Sequence, residues 1–331
     1  MKKPFAASLL LMIAVLYFAQ CRTGSDNDGL LSPEEAIADF QVEDGFEIQT
    51  VAAEPLIEDP VALQFDKDEN MWVVEMRGYM QDKDGRGENL PLGRIKILED
   101  KNDDGKYETT HLFMDSLVMP RAVALVQGGV LLIEPPALYF VENKNGKAGA
   151  RLLIDSAFAE GGNVEHQPNG LMRAMDNWIY AAKSDKRVRF IGSKWVVEKT
   201  QFRGQWGITQ DNYGRLFYND NSTTLMGDNF MPNVFGVNDA YQRQSKNTYA
   251  VQMVSNRVFP ARATPGVNRG YEKGTLDTNS KLVNVTAACG PVIYRGDNFP
   301  EAYQGNAFVM EPSAYLIKRI ILQREDRKSV V

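Results

Sequence analysis

The chain is poor in reactive side chains: its 331 residues include two cysteines and two histidines. The cysteines are Cys21 and Cys289, so no disulfide framework can hold the fold together. No Cys-x-x-Cys-His occurs, which excludes covalently attached heme in this chain. A P-loop, a G-x-G-x-x-G dinucleotide signature, a G-x-S-x-G elbow and an H-E-x-x-H zinc motif are also missing, which disfavours nucleotide-binding and common hydrolase chemistries. There is no excess of positive charge either. With 37 basic against 43 acidic side chains the net charge is −6, and the signs are interspersed, so nucleic acid is not an expected partner. What the chain has instead is 44% hydrophobic and 10% aromatic residues, ample for a core in one all-β unit of this size.

Met1-Lys2-Lys3 opens a basic segment, and the run from Phe5 to Phe18 is almost wholly apolar. At about 14 residues that run falls short of the about 20 needed to span a bilayer and has the length of a signal-peptide core. Cys21 follows at once and opens the polar stretch from Arg22 to Asp28. This arrangement resembles the lipobox of bacterial lipoproteins, with Gln20 where a smaller residue is usual. Residues 1–20 are therefore expected to be a lipoprotein signal peptide and Cys21 the lipidated first residue of the mature protein. Ordinary cleaved secretion and an uncleaved anchor stay open as alternatives. Either lipid-anchored or secreted, the protein is expected to be exported, with an outer-membrane, periplasmic or surface location. Residues 21–40 read as a tether and a short helix, since Ser32-Pro33-Glu34-Glu35 supplies an N-cap, a first-turn proline and first-turn acids.

From residue 41 to 331 strand signals dominate. Phe46 to Val51 alternates as a half-buried strand should. A phrase then recurs: an apolar strand, a tight Asp/Asn/Gly turn, and a second strand rich in aromatic and β-branched residues. Its copies are residues 61–66 leading to 71–75, 171–176 to 178–181, and 206–211 to 215–218, with a degenerate copy at 121–125 and 130–133. A fifth start lies near Gly290 to Gly296, followed by Asn306 to Glu311. Repetition of one hairpin every few dozen residues predicts a β-propeller of five or more four-stranded blades. The long stretch 220–288 is expected to be a functional loop. The pattern still reads as strand at Leu316 to Leu322, which suggests a propeller truncated at its C-terminus.

Several phrases resemble a known family. They are Asp66 to Tyr79, Gly93 to Asp100, Asp103 to Lys106, Asn163 to Leu171, Trp206 to Ser222, Pro265 to Tyr271, and Thr286 to Pro291 through Glu311-Pro312. In this order they resemble the propeller of the bacterial membrane-bound dehydrogenases called PVC-type heme-binding proteins. Those join a propeller related to soluble glucose/sorbosone (quinoprotein) dehydrogenases to helical and c-type cytochrome parts. The resemblance implies oxidation of a sugar or polyol-type alcohol by hydride transfer to bound pyrroloquinoline quinone, with a c-type cytochrome as electron acceptor. It also implies that His166, just before Asn169-Gly170, is the base that takes the substrate proton. The alternatives are a loop histidine held for structure and, for the whole chain, a non-catalytic propeller that binds carbohydrate or protein.

A carboxylate-bearing quinone calls for cations, and arginine suits that task. Arg121, Arg173, Arg203, Arg262 and Arg269 fall at strand starts or in the long stretch, and Asn169, Glu75, Arg77 and Tyr79 stand where loops should gather. Surface ion pairing is the alternative for each arginine. Asn219 to Ser222 ends a further repeated strand. Asp100-Lys101-Asn102-Asp103-Asp104-Gly105 presents oxygen ligands at alternate positions with a glycine turn, so Asp100, Asn102, Asp104 and Glu108 are candidate Ca²⁺ ligands. A plain acidic hairpin turn would look the same. Cys289, among small residues, reads as a buried thiol.

Overall fold

A computed structural model describes residues 31–232, 250–325 and 328–330. Two units separate, 1–53 and 54–331. In the first, helix α1 (Pro33–Ala38) begins as its sequence dictates: Ser32 Oγ accepts the Glu35 amide at 3.2 Å and Glu35 returns the bond to the Ser32 amide at 2.8 Å. Residues 1–30, with the signal segment and Cys21, lie outside the described residues. The expected strand at 46–51 does not form. Its exposure alternates as anticipated, but it belongs to no sheet, and alternation without a neighbouring ladder leaves the backbone irregular. Among the described residues no helix is long and apolar enough to cross a membrane.

The second unit is a β-propeller of five antiparallel blades. Blade 1 is β1 (Pro60–Phe65), β2 (Met71–Glu75), β3 (Gly93–Glu99) and β4 (Thr109–Leu117); blade 2 is β5 (Ala122–Val126), β6 (Gly129–Glu134), β7 (Ala137–Lys144) and β8 (Lys147–Asp155). Blade 3 is β9 (Asn169–Arg173), β10 (Ile179–Ala182), β11 (Ser184–Ile191) and β12 (Lys194–Arg203). Blade 4 is β13 (Ile208–Gln210), β14 (Leu216–Asp220), β15 (Thr223–Asp228) and β16 (Ala250–Gln252). Blade 5 has three strands, β17 (Cys289–Ile293), β18 (Ala307–Glu311) and β19 (Leu316–Ile320), and a hairpin of β20 (Gln323–Glu325) and β21 (Lys328–Val330) follows. The first strands β1, β5, β9, β13 and β17 touch in succession, which makes them the inner wall. Each repeated phrase of the sequence is the β-hairpin that opens a blade.

The aspartate of that phrase is the staple of its turn. Asp66 accepts the amides of Asp68 and Asn70 at 2.9 and 3.0 Å, and Asp211 accepts those of Tyr213 and Arg215, both at 2.9 Å. Asp176 caps the Trp178 amide at 3.0 Å. A left-handed residue then closes each turn: Glu69, Asn177 or Gly214.

Period-two alternation divides each second strand between its two neighbours. Val130 and Leu132 face blade 1 and pack with Trp72, Val74, Ile95 and Ile97, while Leu131 and Ile133 face blade 3 and meet Leu171, Ile179 and Ala181. In blade 4, Tyr218 packs on Trp178 and Tyr180, and Phe217 packs on Ile293, Ala307 and Val309 of blade 5. The core is thus a set of inter-blade layers. The stretch after β16 joins the last of them through Val258, Leu282 and Val285, while residues 233–249, between β15 and β16, lie outside the described residues.

Three second strands end in a glutamate that latches the approach to its own blade. Glu75 accepts the Glu58 amide at 2.8 Å, Glu134 the Val118 amide at 2.8 Å, and Glu311 the amides of Thr286 and Ala287 at 2.9 and 3.0 Å. Lys96 and Arg151 balance the first two charges. These latches fix the segments that lead onto the inner strands, which are the segments that build the site.

Candidate functional site: the axial hollow

A hollow of about 710 Å³ lies along the inner strands. Backbone geometry shapes its wall. Gly170, at the start of β9, and Gly207, just before β13, both adopt left-handed φ, +58° and +84°. A Cβ on Gly170 would come within 3.0 Å of the Gly207 Cα, and one on Gly207 within 3.0 Å of the Gly290 Cα. Glycine is needed there because consecutive blade entrances pass in near contact. Asn169 ties two of them together. Its amide nitrogen donates to the carbonyls of Gln167 (3.1 Å) and Gln205 (2.6 Å), and its carbonyl oxygen accepts the Gly207 amide at 3.0 Å.

Of the expected residues, His166, Arg121 and Asn169 line the hollow, as do Tyr79 and Asn221. Asn169 is a fastener, its hydrogen-bonding capacity used by the backbone around it. His166 sits on a turn closed by its own amide to the Asn163 carbonyl, 2.9 Å, with its side chain 37% exposed. Glu165 organises its surroundings. Its carboxylate accepts from the Tyr79 hydroxyl at 2.7 Å, its carbonyl accepts from the Trp206 indole at 3.1 Å, and its other carboxylate oxygen lies 3.9 Å from His166 Nε2. Side chains from blades 1, 3 and 4 so converge on one residue. Burial, and then the neighbouring Glu165 carboxylate, push the Tyr79 phenol well above its ordinary value, so it stays a hydrogen-bond donor.

Arg121 is set apart. It enters β5 of blade 2 and is fully buried, and its Nε, Nη1 and Nη2 have no hydrogen-bond partner among the described residues. The Trp206 ring lies 5.9 Å from the guanidinium carbon. Burial pushes its pKa down to about 10, against weak support from Tyr79 and Glu88.

The structure does not bring the other expected cofactor residues to the hollow. Arg203 is fully buried but forms an ion pair with Asp228, Nη2 to Oδ2 at 2.8 Å. Arg173 is exposed at the far end of β9, and Arg269 is exposed with a left-handed φ of 62°. Arg262 is exposed with the Tyr315 ring 5.2 Å away. Arg77 pairs with Glu58 at 2.7 Å, and Glu75 is the buried latch described above. The acidic turn between β3 and β4 brings carboxylate oxygens of Asp100, Asp104 and Glu108 within 4.8 Å of one another, a group that could hold a cation. Those oxygens already accept backbone amides: Asp100 those of Asn102, Asp103, Asp104 and Gly105, Asp104 that of Lys106, and Glu108 that of Lys101. Asn102 accepts from the Asp104 amide in the same turn. This turn does not line the hollow. Cys289 does, and burial followed by the Glu311 charge raises its pKa, which keeps it a thiol.

Sequence reasoning passed over Trp206 and Glu165 as site residues. A signal was available, because Arg121, Asn169-Gly170, Trp206-Gly207 and Cys289-Gly290 occupy the same place in the repeat, just at the start of a first strand.

The fold and hollow define a β-propeller with a small-molecule-sized axial site. The chain belongs to the family described as domain of unknown function DUF7133, whose model matches residues 32–330. No curated protein matches it. Among solved structures it is similar to a calcium-binding protein, regucalcin, from Agrobacterium tumefaciens, with 12% identity and a TM-score of 0.32 over 51% of this chain and 52% of that one. It is also similar to a glucose dehydrogenase (14% identity, TM-score 0.31, 68% and 88% of the two chains). A streptogramin B lyase gives 11% identity and a TM-score of 0.32 over 83% and 87%. The match spans about half the length of the regucalcin. Likeness at this level carries no activity from one chain to another.

Proposed function

We propose that this propeller is the catalytic part of an exported oxidoreductase that takes a sugar or polyol-type alcohol into the axial hollow, where His166 accepts the hydroxyl proton. The observation that carries the reading is the placement of His166, one of two histidines in the chain, on the wall of a hollow of about 710 Å³. That volume lies within the about 300–1,000 Å³ of ligand sites, and a few polar groups in a mainly apolar wall are what such sites use for orientation. An imidazole is the side-chain type suited to removing a hydroxyl proton near neutral pH. Tyr79 and Glu165 stand beside it to hydrogen-bond further hydroxyls, and the Trp206 ring offers a flat apolar face. The resemblance to the propellers of PVC-type heme-binding dehydrogenases supports the same reading, with a c-type cytochrome as electron outlet and a lipid on Cys21 as membrane tether.

The hydride that leaves the alcohol carbon needs an acceptor from outside the chain. Pyrroloquinoline quinone would supply that acceptance, but it carries three carboxylates, and among the described residues the hollow sets one guanidinium, Arg121, against them. The residues do not fit that group in full, and no step is derived through it. Nor does the Asp100 turn, the candidate Ca²⁺ site, reach the hollow.

The test is an assay of the purified full chain for dye reduction with a panel of sugars and polyols, with and without added pyrroloquinoline quinone and Ca²⁺. Substrate-dependent reduction that falls by about 100-fold or more in His166→Ala is the expected result. Substrate binding without dye reduction under any condition, indifferent to His166→Ala, would replace this reading with that of a binding propeller.

A further inference from the structure

A guanidinium carries five N–H donors and a charge that proteins do not bury unpaired without cost. Among the described residues the two most deeply buried arginines solve that problem differently. Arg203 has the Asp228 carboxylate on Nε and Nη2, with Thr200 Oγ1 and the Gln201 carbonyl on Nη1. Arg121, no more exposed, has no hydrogen-bond partner on any of its three nitrogens among the described residues, and it lines the hollow. Among the described residues the Trp206 face, 5.9 Å away, is its one aromatic neighbour, and no carboxylate pairs with it. A group that enters the hollow is thus the partner this side chain lacks.

The chemistry of that group follows from its surroundings. The planar fork of a guanidinium matches a carboxylate through two parallel hydrogen bonds. One cation neutralises one anion, and among the described residues that line the hollow there is no second arginine or lysine. Glu165, also on the wall, opposes further negative charge. A phosphate dianion or a tricarboxylate would leave charge unbalanced in a mainly apolar enclosure. Further polar side chains of the wall, among them His166, Tyr79, Glu165, Asn221 and Asn268, are of the kind that meets hydroxyl groups.

We infer that Arg121 is the receptor for a single carboxylate, so that within the polyol class the hollow prefers a hydroxy acid with one carboxylate, of the sugar-acid class, to a neutral sugar, and does not suit a tricarboxylate quinone. The inference rests on the hollow as the small-molecule site proposed above and names its ligand class.

The test is a set of binding titrations, read by tryptophan fluorescence and calorimetry, of the full chain with gluconate, glucose, inorganic phosphate and pyrroloquinoline quinone. Wild type is compared with Arg121→Met and Arg121→Lys, and folding of each variant is checked by its thermal transition. Gluconate is expected to bind more tightly than glucose or phosphate, to weaken by about 10- to 100-fold in Arg121→Met, and to weaken less in Arg121→Lys. Equal affinity for gluconate in wild type and Arg121→Met overturns the assignment. So does quinone binding that depends on Arg121 and exceeds that of gluconate. Glucose binding that Arg121→Met leaves unchanged, with no advantage for gluconate, overturns the carboxylate class alone and leaves the hollow as a sugar site. Failure of all four compounds to bind folded wild type removes both readings.

Discussion

Arg121 and Arg203 are the same side chain, both removed from solvent, one without a partner among the described residues and one paired. Around Arg203, burial works against the charge, but the Asp228 carboxylate outweighs it and holds the guanidinium above its ordinary pKa. Around Arg121 burial meets no such answer, and the pKa falls to about 10. The first pair fastens the end of β12 to the end of β15 across the junction of blades 3 and 4. The second side chain stands where blade 2 meets the hollow. The lesson is that burial of charge is a structural device when the partner is part of the chain and a recognition device when the partner must arrive.

Removal of the partner should make the first site resemble the second. Asp228→Ala leaves Arg203 buried and uncompensated, and a loss of about 3–5 kcal/mol is expected in chemical denaturation. A loss below about 1 kcal/mol would mean that the pair contributes little and that the contrast is one of geometry alone. The opposite experiment removes the charge that has no partner. Arg121→Met should raise stability by about 1–3 kcal/mol, since an apolar side chain of similar length fills the space without a desolvated cation. A destabilised variant would show that Arg121 has a partner in the folded chain, and the comparison would collapse.

The smallest effect is expected where a charge is partnered but near solvent. Burial tends to raise the pKa of Asp66, yet hydrogen bonds from Trp72, Asn70 and Asp68 outweigh it and hold the carboxyl below its ordinary value. A depressed folded-state value means that the stabilisation is complete above the unfolded pKa near 4 and is lost as pH falls through the folded one. Acid titration of stability should show this loss in wild type and not in Asp66→Asn. Its size should stay below about 1 kcal/mol because water screens the site.

The glycines of the wall belong to the same contrast between fastened and receptive parts. Gly207 has a φ of +84°, and a Cβ on it would stand 3.0 Å from the Gly290 Cα, so it cannot carry a side chain without a shift of two blade entrances. Such a shift would alter the hollow itself, on which Arg121 and His166 depend.

Much of this architecture could be read in advance. The repeated strand–aspartate–turn–strand phrase located the opening hairpins of the blades because its cause is local: a short acidic side chain folds back on amides two and four residues on. The capping box of α1 was legible for the same reason. Placement of His166 in the hollow followed from its position just before an inner strand. That Glu75 and Arg77 stay off the wall of the hollow was not legible, because their partners, Glu58 and Lys96, lie 17 to 21 positions from Glu75 along the chain and meet it only when blade 1 closes. The strand expected at 46–51 lacked a neighbour to pair with, which no alternation of residues can reveal.

The sequence by itself determined that the chain makes hairpins, where each turns, and which faces of each strand are apolar, since these depend on residues within a few positions of one another. Only the tertiary structure decided which buried arginine is paired, which glutamates are latches, and which side chains share the hollow. The reason is that the energy of a charge depends on what lies within a few ångströms of it, and in a propeller those neighbours come from other blades.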